Sequence, residues 1–284
     1  MTQFLVYDVF TDEAFGGNPL AVIPDATGLP DAALQKIAAE FNLSETTFVY
    51  PAQDAANTAR VRIFTPTQEV PFAGHPTVGT ALALKDLGRG SDRMVLELGV
   101  GPIPVEIDGN FARFETRVPL VTRPGVSTEH MADMVSLPAG SVIDRAHQPI
   151  NASVGLEFLF AELADEDALT TASPNVTLFK EAIATDQMRL GTLLYVRRGR
   201  TIHARMFAPT KGIPEDPATG SAVAALAALL GSLDGTSQSF TIHQGVAMGR
   251  PSLIRAAVTI EDGAATAVTI GGSAVRVIEG RLVA

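Results

Sequence analysis

The sequence predicts an α+β protein of two similar lobes, and three observations carry that expectation. Residues 62–81 read Arg-Ile-Phe-Thr-Pro-Thr-Gln-Glu-Val-Pro-Phe-Ala-Gly-His-Pro-Thr-Val-Gly-Thr-Ala, and residues 205–222 read Arg-Met-Phe-Ala-Pro-Thr-Lys-Gly-Ile-Pro-Glu-Asp-Pro-Ala-Thr-Gly-Ser-Ala. One two-residue gap aligns them. The copies lie too far apart for a solenoid, so they read as two domain-sized units. The second observation is a run of short β-rich segments separated by Gly-Pro and Asp-Gly turns. The third is one Ala-rich helix per half, apolar nearly all round, which must be buried on most faces. A curled antiparallel sheet wrapped around such a helix, made twice, gives this fold class.

The elements follow in order. Phe4 to Phe10 alternates and carries valine and aromatics, a strand pattern. Gly16-Gly17-Asn18-Pro19 is a loop, and Leu20 to Ile23 a short second strand. Pro30-Asp31 opens a helix with Asp31 as N-cap; Leu34, Ile37, Ala38 and Phe41 share one face, and Asn42 ends it. Thr46 to Tyr50 and Arg60 to Phe64 are strands. Pro76 to Leu87 is the first apolar helix, stopped by Gly88. Short strands follow at 95–98, 103–107 and 112–115. Val118 to Gly125, with two prolines and no period, is the crossover. The second half has strands near 158–162, 192–196 and 203–207, then the helix Pro217 to Leu230, stopped by Gly231. Strands at 240–243, 253–258, 266–270 and 274–278 complete it.

Composition narrows the function. Of 284 residues, 46% are hydrophobic and 18% charged, which favours a packed core over disorder. A formal charge of -10 argues against nucleic acid or an anionic membrane as partner. It leaves room for a small anion held by backbone dipoles. The chain has no cysteine, so thiol acids, thiol nucleophiles and thiolate metal sites are excluded. The N-terminal residues lack a basic signal-peptide region, and the longest apolar stretch, Ala222 to Leu230, is short of a membrane span. A cytoplasmic protein is the expectation.

The repeat is most informative where its copies differ. At the matched position one carries His75 and the other Asp216, each before a proline. Both are expected at helix N-termini, where exposed N–H groups favour an anion. Taken singly, Asp216 also reads as an N-cap and His75 as a packed histidine. Gly74, Gly220 and Ser221, with Gly79 and Thr80, complete a paired anion cradle of backbone N–H groups and hydroxyls. Arg62 and Arg205 open the two copies; they read either as carboxylate ligands or as partners of nearby acids. Asn18 and Arg250 are further candidates of that kind. His130, His147, His203 and His243 are scattered, without ligand spacing, and read as structural. No P-loop or dinucleotide fingerprint is present.

Several segments resemble the phenazine-biosynthesis PhzF-like isomerases, relatives of diaminopimelate epimerase. They are Asp8-Val9-Phe10-Thr11, Phe15 to Val22, Leu43 to Phe48, both repeat copies, Gln244-Gly245 and Met248 to Ser252. The resemblance implies a diaminopimelate epimerase-like fold: two lobes, each a barrel-like, mostly antiparallel sheet around a central helix, with the active site between them. It implies lobes at 1–118 and 119–273, with a C-terminal strand, 274–284, returning to the first. It also implies a homodimer, no metal and no organic cofactor. The epimerases use two cysteines at the positions of His75 and Asp216. Here the resemblance makes Glu45 the acid/base, with His75, Asp216 and Ser221 binding and polarising the substrate. The expected activity is a cofactor-independent isomerase moving a proton within a small carboxylate-bearing substrate of the dihydro-hydroxyanthranilate type. Two alternatives share these residues: a small-anion binding protein without catalysis, and a lyase using the same proton abstraction.

Overall fold

The structure, a computed structural model, describes residues 1–283. These group into two compact units, residues 1–115 with 271–283, and residues 116–270. The first contains β1 (Thr2–Val9), β2 (Asn18–Ile23), α1 (Asp31–Phe41), β3 (Glu45–Tyr50), β4 (Ala59–Phe64), β5 (Glu69–Val70), α2 (Gly74–Asp86), β6 (Arg93–Leu98), β7 (Gly101–Asp108) and β8 (Phe111–Thr116). The second contains β9 (Val121–Pro124), α3 (Thr128–Met134), β10 (Val142–Ile143), β11 (Ile150–Ser153), β12 (Glu157–Leu163), α4 (Glu166–Thr171), α5 (Val176–Ala184), β13 (Thr192–Arg198), β14 (Thr201–Ala208), β15 (Ile213–Asp216), α6 (Gly220–Asp234), β16 (Gln238–Gln244) and β17 (Ser252–Glu261). The last strand, β18 (Ala264–Leu282), starts in the second unit and ends in the first.

In the first unit the sheet closes on itself. β1 pairs antiparallel with β2, β2 parallel with β3, β3 antiparallel with β4, and β4 parallel with β6. β6, β7 and β8 form antiparallel pairs, β8 pairs with β18, and β18 returns antiparallel to β1. The ring encloses α2, which packs on β1, β2, β3, β6 and β7. Eleven of its 13 residues are buried, from Gly74 to Leu84 without a break. This is why its sequence shows no polar face. Gly79 lets the helix lie close against the sheet: a Cβ there would lie 2.7 Å from side-chain atoms of both Val9 and Leu20.

The second unit repeats the path. β11 pairs antiparallel with β12, β12 parallel with β13, β13 antiparallel with β14, β14 parallel with β16, and β16 antiparallel with β17. Its central helix is α6, packed on β11, β12, β16 and β17. Three short helices between β9 and β13, which the sequence reading left unassigned, cover a separate core that includes Met131, Met134, Phe179 and Met188. Each has a polar N-cap: Ser127, Asp165 and Asn175 accept from His130, Ala168 and Leu178 N–H respectively.

Several boundaries differ from expectation. Asp31 is the first helical residue of α1, with Pro30 as N-cap, and its carboxylate pairs with Arg62. Gly231 does not stop α6, which runs on to Asp234 and is capped by left-handed Gly235 at φ 67. Gly231 is needed instead for close approach, since a Cβ there would lie 2.5 Å from Val258 Cγ1. The two strands expected at 266–270 and 274–278 are one strand of 19 residues. Gly271 between them sits against β8, 2.8 Å from Ala112 O at the Cβ position, so glycine again permits contact and does not break the strand.

No helix among the described residues is long and apolar enough to cross a membrane.

Candidate active site

Glu45 enters the sheet directly after α1. Asn42 caps that helix in the left-handed region at φ 50, and the chain turns through Ser44 into β3. There Glu45 lies opposite Leu20 in the parallel register with β2. Asn18, the fully buried first residue of β2, accepts a 3.2 Å hydrogen bond from the Ser44 hydroxyl. Gly74 and His75 are the first two residues of α2, with Ala73 as N-cap and Pro76 in the third position. His75 Nδ1 lies 3.5 Å from Glu45 Oε2. Its Nε2 is buried without a hydrogen-bond partner. Burial pushes the imidazole down to about 3, so it is neutral at pH 7. The pair is therefore a neutral imidazole beside a carboxyl group that remains 17% exposed. Nearby, the Asp8 carboxylate accepts a 2.7 Å bond from Phe15 N–H. That bond holds a loop in which Phe10 and Phe15 are both left-handed, at φ 66 and 70.

The buried neutral histidine has a consequence for stability. In the unfolded chain it takes up a proton near 6.5, whereas in the fold it resists protonation down to about 3. Between those values the unfolded state binds more protons, so stability falls as the pH drops through that window. At pH 5 the difference amounts to about 2 kcal/mol. Urea unfolding at pH 7 and pH 5 should show a loss of stability smaller by about that amount in His75→Gln than in the parent. An identical loss in both proteins would mean that His75 does not resist protonation.

Asp216 is placed differently from the expectation. It does not start α6 but ends β15, where it pairs with Met206 across the ladder. Pro217 to Thr219 then form a loop, and Thr219 is the N-cap of α6. The physical reason is the strand pairing: residues 213–216 satisfy their backbone in the sheet, so the helix begins later in this copy than in the first. The Thr219 hydroxyl donates to the Asp216 carboxylate. Fully buried Gln244 locks the loop from the other side. Its Nε2 donates to Asp216 O at 2.8 Å and to Thr219 Oγ1 at 3.0 Å, and its Oε1 accepts from Thr219 N–H at 3.2 Å. Sequence reading had Gln244 within a motif but not as a site residue; a buried glutamine at a strand end, followed by glycine, was the signal. Gly220 and Ser221 take the first two positions of α6, where N–H groups have no partner within the helix.

Other candidates find structural partners. Thr80, expected as a hydroxyl donor to an anion, is fully buried and donates to Thr47 Oγ1 at 2.9 Å. Arg62 grips Glu69 through two bonds and also pairs with Asp31. Arg205 grips Glu215 in the same way and donates to three carbonyls around the end of α4. Both arginines lie over the phenylalanine two residues on, Phe64 and Phe207. His203 and His243, scattered in sequence, are neighbours in the fold: the parallel register of β14 and β16 pairs them, with ring centroids 5.1 Å apart. Among the described residues no group of three or more His, Asp or Glu is placed to hold a metal ion.

The registers also locate the counterpart of Glu45. Arg62 lies opposite Phe48, and the matching Arg205 lies opposite Leu194. Three residues before Phe48 is Glu45; three before Leu194 is Gly191. A Cβ at Gly191 would lie 2.5 Å from Phe207 O and 3.1 Å from Ala208 Cβ. The second copy has no carboxylate at this position and no room for one.

A family model described as phenazine biosynthesis-like protein matches residues 7–280. The chain belongs to that family. Its relatives include an uncharacterized isomerase of Mesorhizobium japonicum, 38% identical over 99% of this chain and 98% of its own. A trans-2,3-dihydro-3-hydroxyanthranilate isomerase of Pseudomonas aeruginosa is 35% identical over 99% of both chains. The chain is thus an isomerase of the phenazine biosynthesis-like family. Among solved structures, a Bacillus anthracis phenazine biosynthesis protein of the PhzF family superposes with a TM-score of 0.89, covering 100% of this chain and 99% of that one. At 24% identity that likeness speaks for the fold.

Proposed function

We propose that this isomerase works without a cofactor and moves a proton within a small carboxylate-bearing substrate, with Glu45 as the single acid/base. The observation that carries the reading is the asymmetry of the duplicated frame: a carboxylate at Glu45 and a crowded glycine, Gly191, in its place in the other copy. A single carboxylate at the reacting carbon, with no counterpart in the other copy, suits a shift of the proton on one face. Glu45 takes a proton from carbon. The electron pair left behind forms a new C=C bond, the former double bond moves along, and the protonated Glu45 returns the proton to the carbon at its far end. Atoms and charge are unchanged between substrate and product.

His75, Asp216 and the start of α6 are assigned to binding. Asp216, as an acceptor, would take a substrate hydroxyl or amino donor. The N–H groups of Gly220 and Ser221, and the Ser221 hydroxyl, would take the carboxylate. Gly74 and Asn18 would fill the corresponding roles beside Glu45. The relative from Pseudomonas aeruginosa makes trans-2,3-dihydro-3-hydroxyanthranilate the first substrate to try.

The test is incubation with that compound in D2O, followed by NMR and mass spectrometry. The expected result is an isomer whose mass differs from the substrate only by deuterium taken from solvent. Loss of water or ammonia would identify a lyase instead. Saturable binding with neither product nor C–H exchange would leave a binding protein.

A further inference from the structure

A cavity of about 470 Å3 lies in the first unit, walled by Arg60, Arg62, Glu69, Val70, Glu97 and Leu98 among others. Neither Glu45 nor His75 lines it. Its volume falls in the range of small-molecule sites. Most of its charges are already engaged. Arg62 is gripped by Glu69 and Asp31. Glu97 accepts from the N–H groups of Gln53 and Asp54 and from the Asn57 amide, and these bonds hold its carboxyl below the usual carboxylate range. Arg60 is different. Its guanidinium lies 4.7 Å above the Tyr50 ring, and its side chain forms no hydrogen bond or ion pair with a described residue; Nε is buried without an acceptor.

The second copy shows what that position takes when it is satisfied. The register pairs Arg60 with Glu97 in the first unit and His203 with His243 in the second, so Arg60 and His203 are counterparts. The cavity at His203 is smaller, about 160 Å3, and Glu166 and Leu169 of α4 form part of its wall. Glu166 places a carboxylate oxygen 3.1 Å from His203 Nδ1. One copy fills the position with a carboxylate from its own helix. The other has a larger space and a cation, Arg60, on which Glu97 acts through charge but to which no acceptor is hydrogen-bonded.

We propose that the first-unit cavity is a binding site for a small organic carboxylate, with its anionic end on Arg60 and its apolar body against Val70 and Leu98. A guanidinium suits a planar carboxylate because two parallel N–H groups match its two oxygens.

The probe is benzoate, with benzamide as its uncharged counterpart, followed by backbone amide NMR. Benzoate should shift the amides of residues 60–62, 69–71 and 97–99 saturably, and benzamide should not. Arg60→Gln should weaken the benzoate response at least about 10-fold, the scale expected for losing a charge-assisted pair, while leaving turnover unchanged. Glu45→Gln should leave the benzoate response at these amides intact, which separates this site from the catalytic one. The proposal is overturned if these amides do not respond to benzoate, if benzamide binds as tightly, or if Arg60→Gln binds benzoate as the parent does. Should Arg60→Gln fail to fold, the comparison of benzoate with benzamide on the parent protein decides alone.

Discussion

Glu45→Gln should fold, bind substrate nearly as well as the parent, and lose at least about 100-fold in kcat, the usual scale for a general acid/base. Glutamine keeps the size of the side chain and its place 3.5 Å from His75, but it cannot accept a proton from carbon. On the proposed role the interaction is made in the transition state and not in substrate binding, so kcat and kcat/KM should fall together while KM stays close to the parent value. Glu45→Asp keeps the charge and draws it back by one methylene, so it should retain partial activity. Turnover of Glu45→Gln at the parent rate would remove the carboxylate as the shuttle. Neutral His75, the titratable neighbour, would then be the base to examine.

Gly245→Ala should cost about 3 kcal/mol of stability and lower kcat/KM as well. Gly245 is left-handed at φ 73, and a Cβ there would lie 2.4 Å from Arg250 O and 2.7 Å from Pro217 O. Both obstacles are backbone, so relief requires the main chain to move, and Pro217 directly follows Asp216. Gly235 provides the control. It is also left-handed, at φ 67, but nothing lies within 4 Å of an added Cβ. Gly235→Ala should therefore cost only the conformational penalty, about 1 kcal/mol. Urea unfolding of the two variants measures the difference; equal losses would mean that the turn relaxes freely around the methyl group.

The fold class was legible because burial writes itself into composition. α2 and α6 lack a polar face because each is wrapped by its sheet, and the strands between turn residues show β-branched and aromatic side chains. The three short helices of residues 128–184 escaped although each begins with a good N-cap. Six to nine residues are too few for a helical period to stand out from a buried strand. Glycine misled at Gly231, because a glycine that lets two elements touch looks in sequence like one that ends an element, and Gly271, in the break expected between residues 270 and 274, serves the same close contact. Among the candidate residues, the repeat itself singled out His75 and Asp216. It could not show that Asp216 would finish a strand, because whether residues 213–216 join the sheet depends on β14, a long-range partner. Gln244 was hidden for the same reason: its three hydrogen bonds reach back 25 to 28 residues along the chain.

The last strand imposes an order on biosynthesis. β1 is translated before every other described element, yet one of its two neighbours in the ring is the end of β18, with Thr2 opposite Leu282 and Val9 opposite Ala274. That neighbour is translated only after the whole second unit. Until then the first unit is a ring with a gap, and one edge of an eight-residue strand stays open to other chains. The second unit needs no such delay for β11 to β17, whose partners are close in time. Its central helix can be covered while translation continues, whereas the first unit, which carries Glu45, closes last. A released chain truncated after residue 270 should therefore hold a protease-resistant second unit beside a first unit that is still cut readily, and adding a peptide of residues 271–283 should restore the first unit's resistance.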